Sequence, residues 1–156
     1  MSEQNFFTAN AALQGKTVLD VEALTLMYRL EMAGERFYEL LVERIDNPEA
    51  KELLRRNARE ENAHARRIAR ALSIKTGTEW TPSPEVAKLL DVPLPDTIPV
   101  ELFAAVVEGE IRADGGYQAW ADNEPDPEVE RLLRLNGREE SIHGERASQV
   151  IAILSR

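Results

Sequence analysis

Apolar residues recur every three or four positions along four long stretches of the chain. This spacing places them on one face of an α-helix, whereas a half-buried strand would alternate every two residues. Asp20 is a typical N-cap and Pro48 a typical first helical residue. The pattern predicts four long helices, from about Asp20 to Ile45, Pro48 to Leu72, Val100 to Asn123 and Pro127 to Leu154.

Residues 73–99 separate the two pairs of predicted helices and contain five of the eight prolines. They predict a long crossover with one short helix near Glu85–Leu90. Residues 1–18 form an N-terminal arm, in which Phe6 and Phe7 are expected to dock on the rest of the protein. Two helical hairpins with one long crossover are a known four-helix-bundle topology. The sequence therefore predicts an all-α fold, with an arm at 1–18 and a bundle at 19–156 made of hairpins 20–72 and 100–155 and crossover 73–99.

The two hairpins repeat each other without a gap. Residues 31–67 and 110–146, offset by 79 positions, are identical at 13 of 37 positions. The matches include the only two histidines, His64 and His143, as well as Tyr38 with Tyr117. Shared composition explains coincident glutamates but not this whole set, which indicates an internal duplication.

Each predicted apolar stripe is interrupted in its middle by acidic residues or histidine. The interruptions are Glu31, Glu61 with His64, Glu110, and Glu140 with His143. Buried carboxylates are costly unless they are paired or bound to a metal. Two divalent cations would balance four carboxylates, and neutral imidazoles would complete the coordination without adding charge.

This arrangement matches a general pattern for metal sites in helix bundles. The pattern is one Glu from each of two helices and Glu-x-x-His from each of the other two. Glu31 and Glu110 supply the single carboxylates, and residues 61–64 and 140–143 supply the paired motifs. Carboxylate and imidazole ligands suit iron or manganese, with zinc possible. We therefore predict a two-metal site.

The composition argues against several classes of function. The sequence has no cysteine, which excludes disulfides and thiolate metal sites within it. Its formal net charge of −9 argues against nucleic-acid binding and weakly against anionic membranes. No apolar run is long enough for a transmembrane helix, and the first residues do not resemble a signal peptide. A cytoplasmic protein is the expectation.

With these motifs, the chain resembles the ferritin-like superfamily and, within it, the rubrerythrin-like branch. The resemblance rests on EMAGERFYELL and REENAHARR in the first hairpin and on EGEIRADGGYQAW and REESIHGER in the second. It implies a non-haem di-iron centre with bridging carboxylates that reacts with hydrogen peroxide or dioxygen. Rubrerythrins proper also carry a Cys₄ iron domain that supplies electrons. This sequence lacks it, so an external electron donor is expected.

Further polar residues lie near the predicted ligands. Glu35 and Asp114, one turn on from Glu31 and Glu110, are either extra ligands or exposed acids. Tyr38 and Tyr117 either pack in the core or hydrogen-bond to a ligand carboxylate. Asn57 and Asn136 are either donors beside the site or polar core residues, and Glu60 and Glu139 are expected to face solvent beside arginines. Three glycines, Gly109, Gly115 and Gly116, weaken the third helix.

The leading functional hypothesis is a di-iron oxidoreductase that reduces peroxide or dioxygen, with Glu61 and Glu140 bridging or chelating the metals. Ferroxidase activity with iron storage, a manganese catalase-like activity and a non-catalytic, metal-stabilised interaction bundle are the alternatives. A symmetric homodimer is the expected oligomer, because such dimers are the commonest assemblies.

Overall fold

The structure is a computed structural model that describes residues 4–156. Within this range there are six helices: α1 Phe6–Ala12, α2 Val21–Glu43, α3 Pro48–Thr76, α4 Pro84–Ala87, α5 Val100–Asp122 and α6 Pro127–Leu154. The four long helices form a bundle, in which α2 packs on α3 and α5 packs on α6. The predicted all-α, ferritin-like bundle with one long crossover is confirmed.

Helices α3 and α6 join the two hairpins at the centre of the bundle. They run antiparallel, because Asn57 of α3 reaches the backbone of His143 while Asn136 of α6 reaches the backbone of His64. Among the described residues, α2 and α5 make no comparably close backbone approach. The two hairpins therefore meet chiefly along α3 and α6, and side chains bridge the gap between α2 and α5.

The ends of the helices follow the local sequence closely. Asp20 caps α2 by accepting a hydrogen bond from the Ala23 amide at 2.8 Å, and Asp126 caps α6. Pro48 and Pro127 occupy the first positions of α3 and α6, as their fixed φ favours. Helix α3 continues four residues beyond the predicted end at Leu72. It ends only at Gly77, whose φ of 74° suits a residue without a side chain.

The N-terminal arm and the crossover both cover α2. Residues 1–3 of the predicted arm lie outside the described residues. Within the arm, Phe6 begins α1 and stacks on Phe37 of α2, with ring centroids 5.6 Å apart. In the crossover, Trp80 packs edge-on against Tyr28 of α2. The predicted short helix is present as α4, one turn long and slightly earlier than expected.

The core is mainly aliphatic, as the low aromatic content predicts. Its fully buried aliphatic members include residues of α2, α3 and α6, namely Leu24, Leu41, Leu54, Ile68, Leu72 and Leu133. These residues lie towards the ends of the bundle, on either side of a buried polar layer. No helix within residues 4–156 combines the length and the apolar run that crossing a membrane requires.

Candidate metal centre

The polar layer contains all six predicted metal ligands. Helix α2 contributes Glu31, α3 contributes Glu61 and His64, α5 contributes Glu110, and α6 contributes Glu140 and His143. Both histidine side chains are 0% exposed, and the side chain of Glu110, at 16%, is the most exposed of the six. Four helices thus bring four carboxylates and two imidazoles into one buried volume.

Around His64, the Nδ1 atom faces the centre of the cluster. It lies 3.0 Å from Glu31 Oε2, 2.9 Å from Glu140 Oε1 and 4.0 Å from Glu61 Oε1. Around His143, Nδ1 lies 2.8 Å from Glu61 Oε1, 3.3 Å from Glu140 Oε1 and 3.6 Å from Glu110 Oε2. Each Nδ1 atom therefore faces three carboxylates, and Glu61 and Glu140 approach both rings.

These distances fit ligands that share cations. The atoms form one set of Glu31, Glu61, His64 and Glu140, and a second set of Glu61, Glu110, Glu140 and His143. Ligand atoms held about 2.0–2.2 Å from one cation lie roughly 3.0–3.5 Å from each other. The two sets have Glu61 and Glu140 in common, which is the arrangement expected for two metals with two shared carboxylates.

Buried atoms without hydrogen-bond partners also fit metal binding. Within the described structure, Glu61 Oε1, Glu110 Oε2, Glu140 Oε1 and His143 Nδ1 have no hydrogen-bond partner. Such atoms are costly to bury, because they lose their hydrogen bonds to water. All four lie in the second ligand set, so a cation placed there would satisfy them together.

The comparison of the sequence with family models agrees with this geometry. The rubrerythrin family model matches residues 22–151, which include all four long helices except a few end residues. The chain belongs to the rubrerythrin family. No curated protein and no solved structure matches it at a significant level. The family typically holds a di-iron centre, and the buried Glu and His cluster is compatible with one.

The outer edges of the histidine rings are held by acids of the opposite helix. His64 Nε2 lies 3.0 Å from Glu139 Oε1, and His143 Nε2 lies 3.2 Å from Glu60 Oε1. Glu60 and Glu139 were expected to face solvent beside arginines; their side chains are 30% and 20% exposed, but their carboxylates also contact the histidine rings. A carboxylate at Nε2 orients the ring and leaves Nδ1 free to bind a metal, a common arrangement around ligating histidines. The sequence did not reveal it, because the partner lies on another helix.

Two arginines complete these contacts, in agreement with the prediction that Glu60 and Glu139 lie beside arginines. Arg67 Nη1 donates to Glu139 Oε1 at 2.7 Å, and Arg146 Nη1 donates to Glu60 Oε1 at 2.9 Å. The same arginines donate to the side chains of Asn136 and Asn57. Each Asn amide in turn donates to the backbone carbonyl of a histidine. The asparagines are therefore donors beside the site, and the outer acids are neutralised by arginine.

The two tyrosines differ in their contacts. The Tyr117 hydroxyl donates a 2.7 Å hydrogen bond to Glu31 Oε1 and crosses the gap between α5 and α2. The Tyr38 hydroxyl is buried without a hydrogen-bond partner in the described structure and lies near Glu110. Burial, followed by these neighbouring carboxylates, raises the pKa of both phenols well above 10. Tyr117 therefore positions a predicted ligand, whereas Tyr38 packs against the edge of His143.

Without metal, the imidazoles carry the positive charge of this layer. Burial opposes the charged ring of His64, but the adjacent carboxylates of Glu139, Glu140 and Glu31 outweigh burial and raise its pKa to about 12. The pKa of His143 is raised for the same reasons, by Glu110, Glu140, Glu60 and Glu61. Metal binding therefore requires both rings to lose a proton.

The carboxylates with altered pKa values fall into two classes, those with a raised pKa and those with a lowered pKa. Burial and the nearby Glu140 charge raise the pKa of Glu61 well above its ordinary value and that of Glu110 to about 7. Burial also acts to raise the pKa of Glu140, but the adjacent His143 and His64 rings outweigh it and lower that pKa. The pKa of Glu60 and of Glu139 is lowered to about 2, chiefly by His143 and His64 respectively. Four acids this close resist full ionisation unless cations compensate them.

The two proposed extra ligands lie outside the cluster. Among residues 4–156, the groups at ligand distance include neither Glu35 nor Asp114. Asp114 accepts hydrogen bonds from Ser141 at 2.5 Å and from Gln118 at 3.0 Å. Glu35 lines the open groove between α2 and α3, beside Arg59 and Arg66. In this structure both acids lie beside the centre, and neither joins the cluster of ligand atoms.

One glycine of the site went unnoticed in the sequence. A Cβ atom at Gly34 would clash with Oε2 of Glu61, one of the two shared carboxylates. At the corresponding position of the second hairpin, 79 residues later, the chain has Ala113. Only the glycine leaves room for Glu61 to lie against α2. No periodicity signals this requirement, since Gly and Ala fit an apolar stripe equally well.

Proposed function

We propose that this chain is a di-iron oxidoreductase that reduces hydrogen peroxide or dioxygen, with electrons from an external donor. The observation that carries the proposal is the pair of four-residue sets that share Glu61 and Glu140. When bound, two iron ions would supply the two electrons that reduce peroxide to water. Glu31, Glu61 and His64 with Glu140 would hold one iron, and Glu110 and His143 with the two shared carboxylates would hold the other.

The protein's own residues would prepare this chemistry by fixing the ligands before the metals arrive. Glu139 with Arg67, and Glu60 with Arg146, hold the two imidazoles so that Nδ1 faces inwards. Tyr117 holds one oxygen of Glu31. Side chains that are already oriented cost little rearrangement when the metal binds. Burial excludes bulk water from the histidines and from three of the four acids.

The oxidant would approach on the side of Glu110. Glu110 is the most exposed predicted ligand, and the neighbouring Gly109 has no atom within 4 Å of the position that a Cβ would occupy. On the side of α2, Phe37 and Tyr38 are buried, and Phe6 of α1 stacks on Phe37. A small oxidant such as peroxide would therefore enter beside Glu110 of α5.

Stopped-flow spectroscopy tests this proposal. Protein loaded anaerobically with two Fe(II) per chain is mixed with one equivalent of peroxide, and ferric absorbance is expected to form in a single fast phase. Glu61→Gln, which keeps the shape of the side chain but removes a shared charge, is the matched control and should show only the slow oxidation of free iron.

Other results would point to the other functions. If iron binds but peroxide leaves it ferrous, the proposal is wrong and a metal-stabilised, non-catalytic bundle is favoured. Oxygen evolution from peroxide by the manganese-loaded protein would favour a catalase-like activity. Formation of large iron-filled particles on light scattering would favour iron storage.

A further inference from the structure

An aromatic pair connects one predicted ligand to the protein surface. Tyr117 donates its 2.7 Å hydrogen bond to Glu31, and its ring meets Trp120 edge-on with centroids 5.6 Å apart. Trp120 is half-buried near the end of α5, and its indole N–H donates to the backbone carbonyl of Lys16 at 2.9 Å. Phenol and indole are the side chains most readily oxidised by one electron in a chain without cysteine.

The equivalent position in the first hairpin lacks this connection. In the described structure the Tyr38 hydroxyl makes no hydrogen bond, although Glu110 lies nearby, so it lacks a formed proton path such as the one from Tyr117 to Glu31. Its aromatic neighbours are His143 on one side and Phe37 on the other, and Phe37 stacks on Phe6. Phenylalanine is far harder to oxidise than tryptophan. The equivalent tyrosines of the two hairpins therefore differ in whether a readily oxidised side chain lies beside them.

We propose that Tyr117 and Trp120 form a one-electron relay between the metal centre and the surface. The relay rests on the proposed function, because hydrogen peroxide acting at the centre is its oxidant. It operates when the centre can deliver only one of the two electrons that peroxide requires. The second electron then comes from the protein, along a route that ends at an accessible indole.

The electrons and protons balance along this route. Reduction of one peroxide to two waters takes two electrons and two protons. A single bound ferrous ion would supply one electron, and Tyr117 would supply the other while its phenolic proton passes to Glu31 Oε1 along the existing hydrogen bond. Both protons for water come from solvent. Trp120 then gives an electron to Tyr117, and the phenolic proton returns from Glu31. This leaves an indole radical cation, which a one-electron reductant such as ascorbate reduces.

The geometry explains why the relay would end at Trp120. Its ring packs over Gly116, where the first hairpin has Phe37, so the indole occupies space that no side chain of residue 116 fills. The hydrogen bond to Lys16 fixes the indole between the arm and α5. Because Trp120 is partly exposed, a small reductant can reach it without entering the metal centre.

Freeze-quench electron paramagnetic resonance tests the relay. Protein loaded with one Fe(II) per chain is mixed with excess peroxide, and the same sample's optical spectrum reports iron oxidation separately. A radical is expected, with a spectrum that narrows when tryptophan or tyrosine is supplied deuterated. Its yield should fall when two Fe(II) per chain are loaded, because the second iron then supplies the electron.

Matched variants assign the radical. Tyr117→Phe is expected to abolish it, Trp120→Phe to leave it on Tyr117, and Tyr38→Phe to leave it unchanged. The radical yield of each variant is divided by the amount of iron that the same sample oxidises, because Tyr117 also holds the predicted ligand Glu31. Iron oxidation without any aromatic radical, or a radical that survives Tyr117→Phe, would overturn the relay and leave the proposed function standing. If peroxide oxidises no iron in the wild-type protein, the proposed function fails and the relay fails with it.

Discussion

Glu61→Gln is expected to remove both metal ions from the protein, whereas Glu31→Gln removes only one. Glu61 belongs to both ligand sets, and Glu31 belongs to one. Each substitution keeps the side chain's volume and replaces a charged oxygen by a neutral amide. Losing even a hydrogen-bonded partner of a ligand costs roughly 10–100-fold in metal affinity, and losing a shared charged ligand should cost more. Anaerobic titration with Fe(II) or Mn(II), followed by elemental analysis, gives the stoichiometry.

The melting temperature of each metal-free variant distinguishes the loss of a ligand from the loss of the fold. In the metal-free protein, Glu61 is one of four buried acids that repel one another, and this repulsion together with burial raises its pKa. Replacing it by Gln relieves repulsion, so the metal-free variant should melt at or above the wild-type temperature. Glu140→Gln should likewise lose both metals, and Glu110→Gln only one. Two tightly bound metals in Glu61→Gln would contradict the shared-carboxylate arrangement.

Gly34→Ala is expected to weaken metal binding without weakening the fold. The added Cβ would overlap Oε2 of Glu61, and the flexible end of that side chain can move away. The helix itself gains roughly 0.5–1 kcal/mol when a mid-helix glycine becomes alanine. The displaced Glu61 can no longer serve both ligand sets, so the affinity for both metals should fall by at least about 10–100-fold.

Gly115→Ala is the matched control for this substitution. Gly115 also lies inside a long helix, and no atom lies within 4 Å of the position of its absent Cβ. The variant should gain the same helix stability and keep both metals. The thermal melting temperature and the metal dissociation constant are measured for both variants. If Gly34→Ala binds both metals as tightly as Gly115→Ala does, the close approach of Glu61 to α2 has no role in the site.

The fold was predictable because its signals are local. Helical periodicity, the caps at Asp20 and Asp126 and the prolines at Pro48 and Pro127 each act within one or two turns. Helix α3 ran past its predicted end because nothing in residues 73–76 opposes a helix before Gly77. The arm was placed only approximately, since the ring on which Phe6 stacks lies 31 residues away in the sequence.

The six cluster residues were also predictable, because polar residues on an apolar stripe stand out. The contacts around them were not. Whether Glu60 faces solvent or His143 depends on how α3 meets α6, which no local pattern encodes. The difference between Tyr38 and Tyr117 depends in the same way on the gap between α2 and α5. Pairings between distant helices are set by the assembled bundle, so they become visible only in the structure.

The central claim is that six residues on four helices hold two metal ions. The most direct test is the number of metals per chain, measured by elemental mass spectrometry after anaerobic loading with Fe(II) or Mn(II) and removal of free metal. The structure leads us to expect two per chain, because the cluster forms two ligand sets. A chain that stays empty, or that holds one ion only, would contradict the two-metal centre.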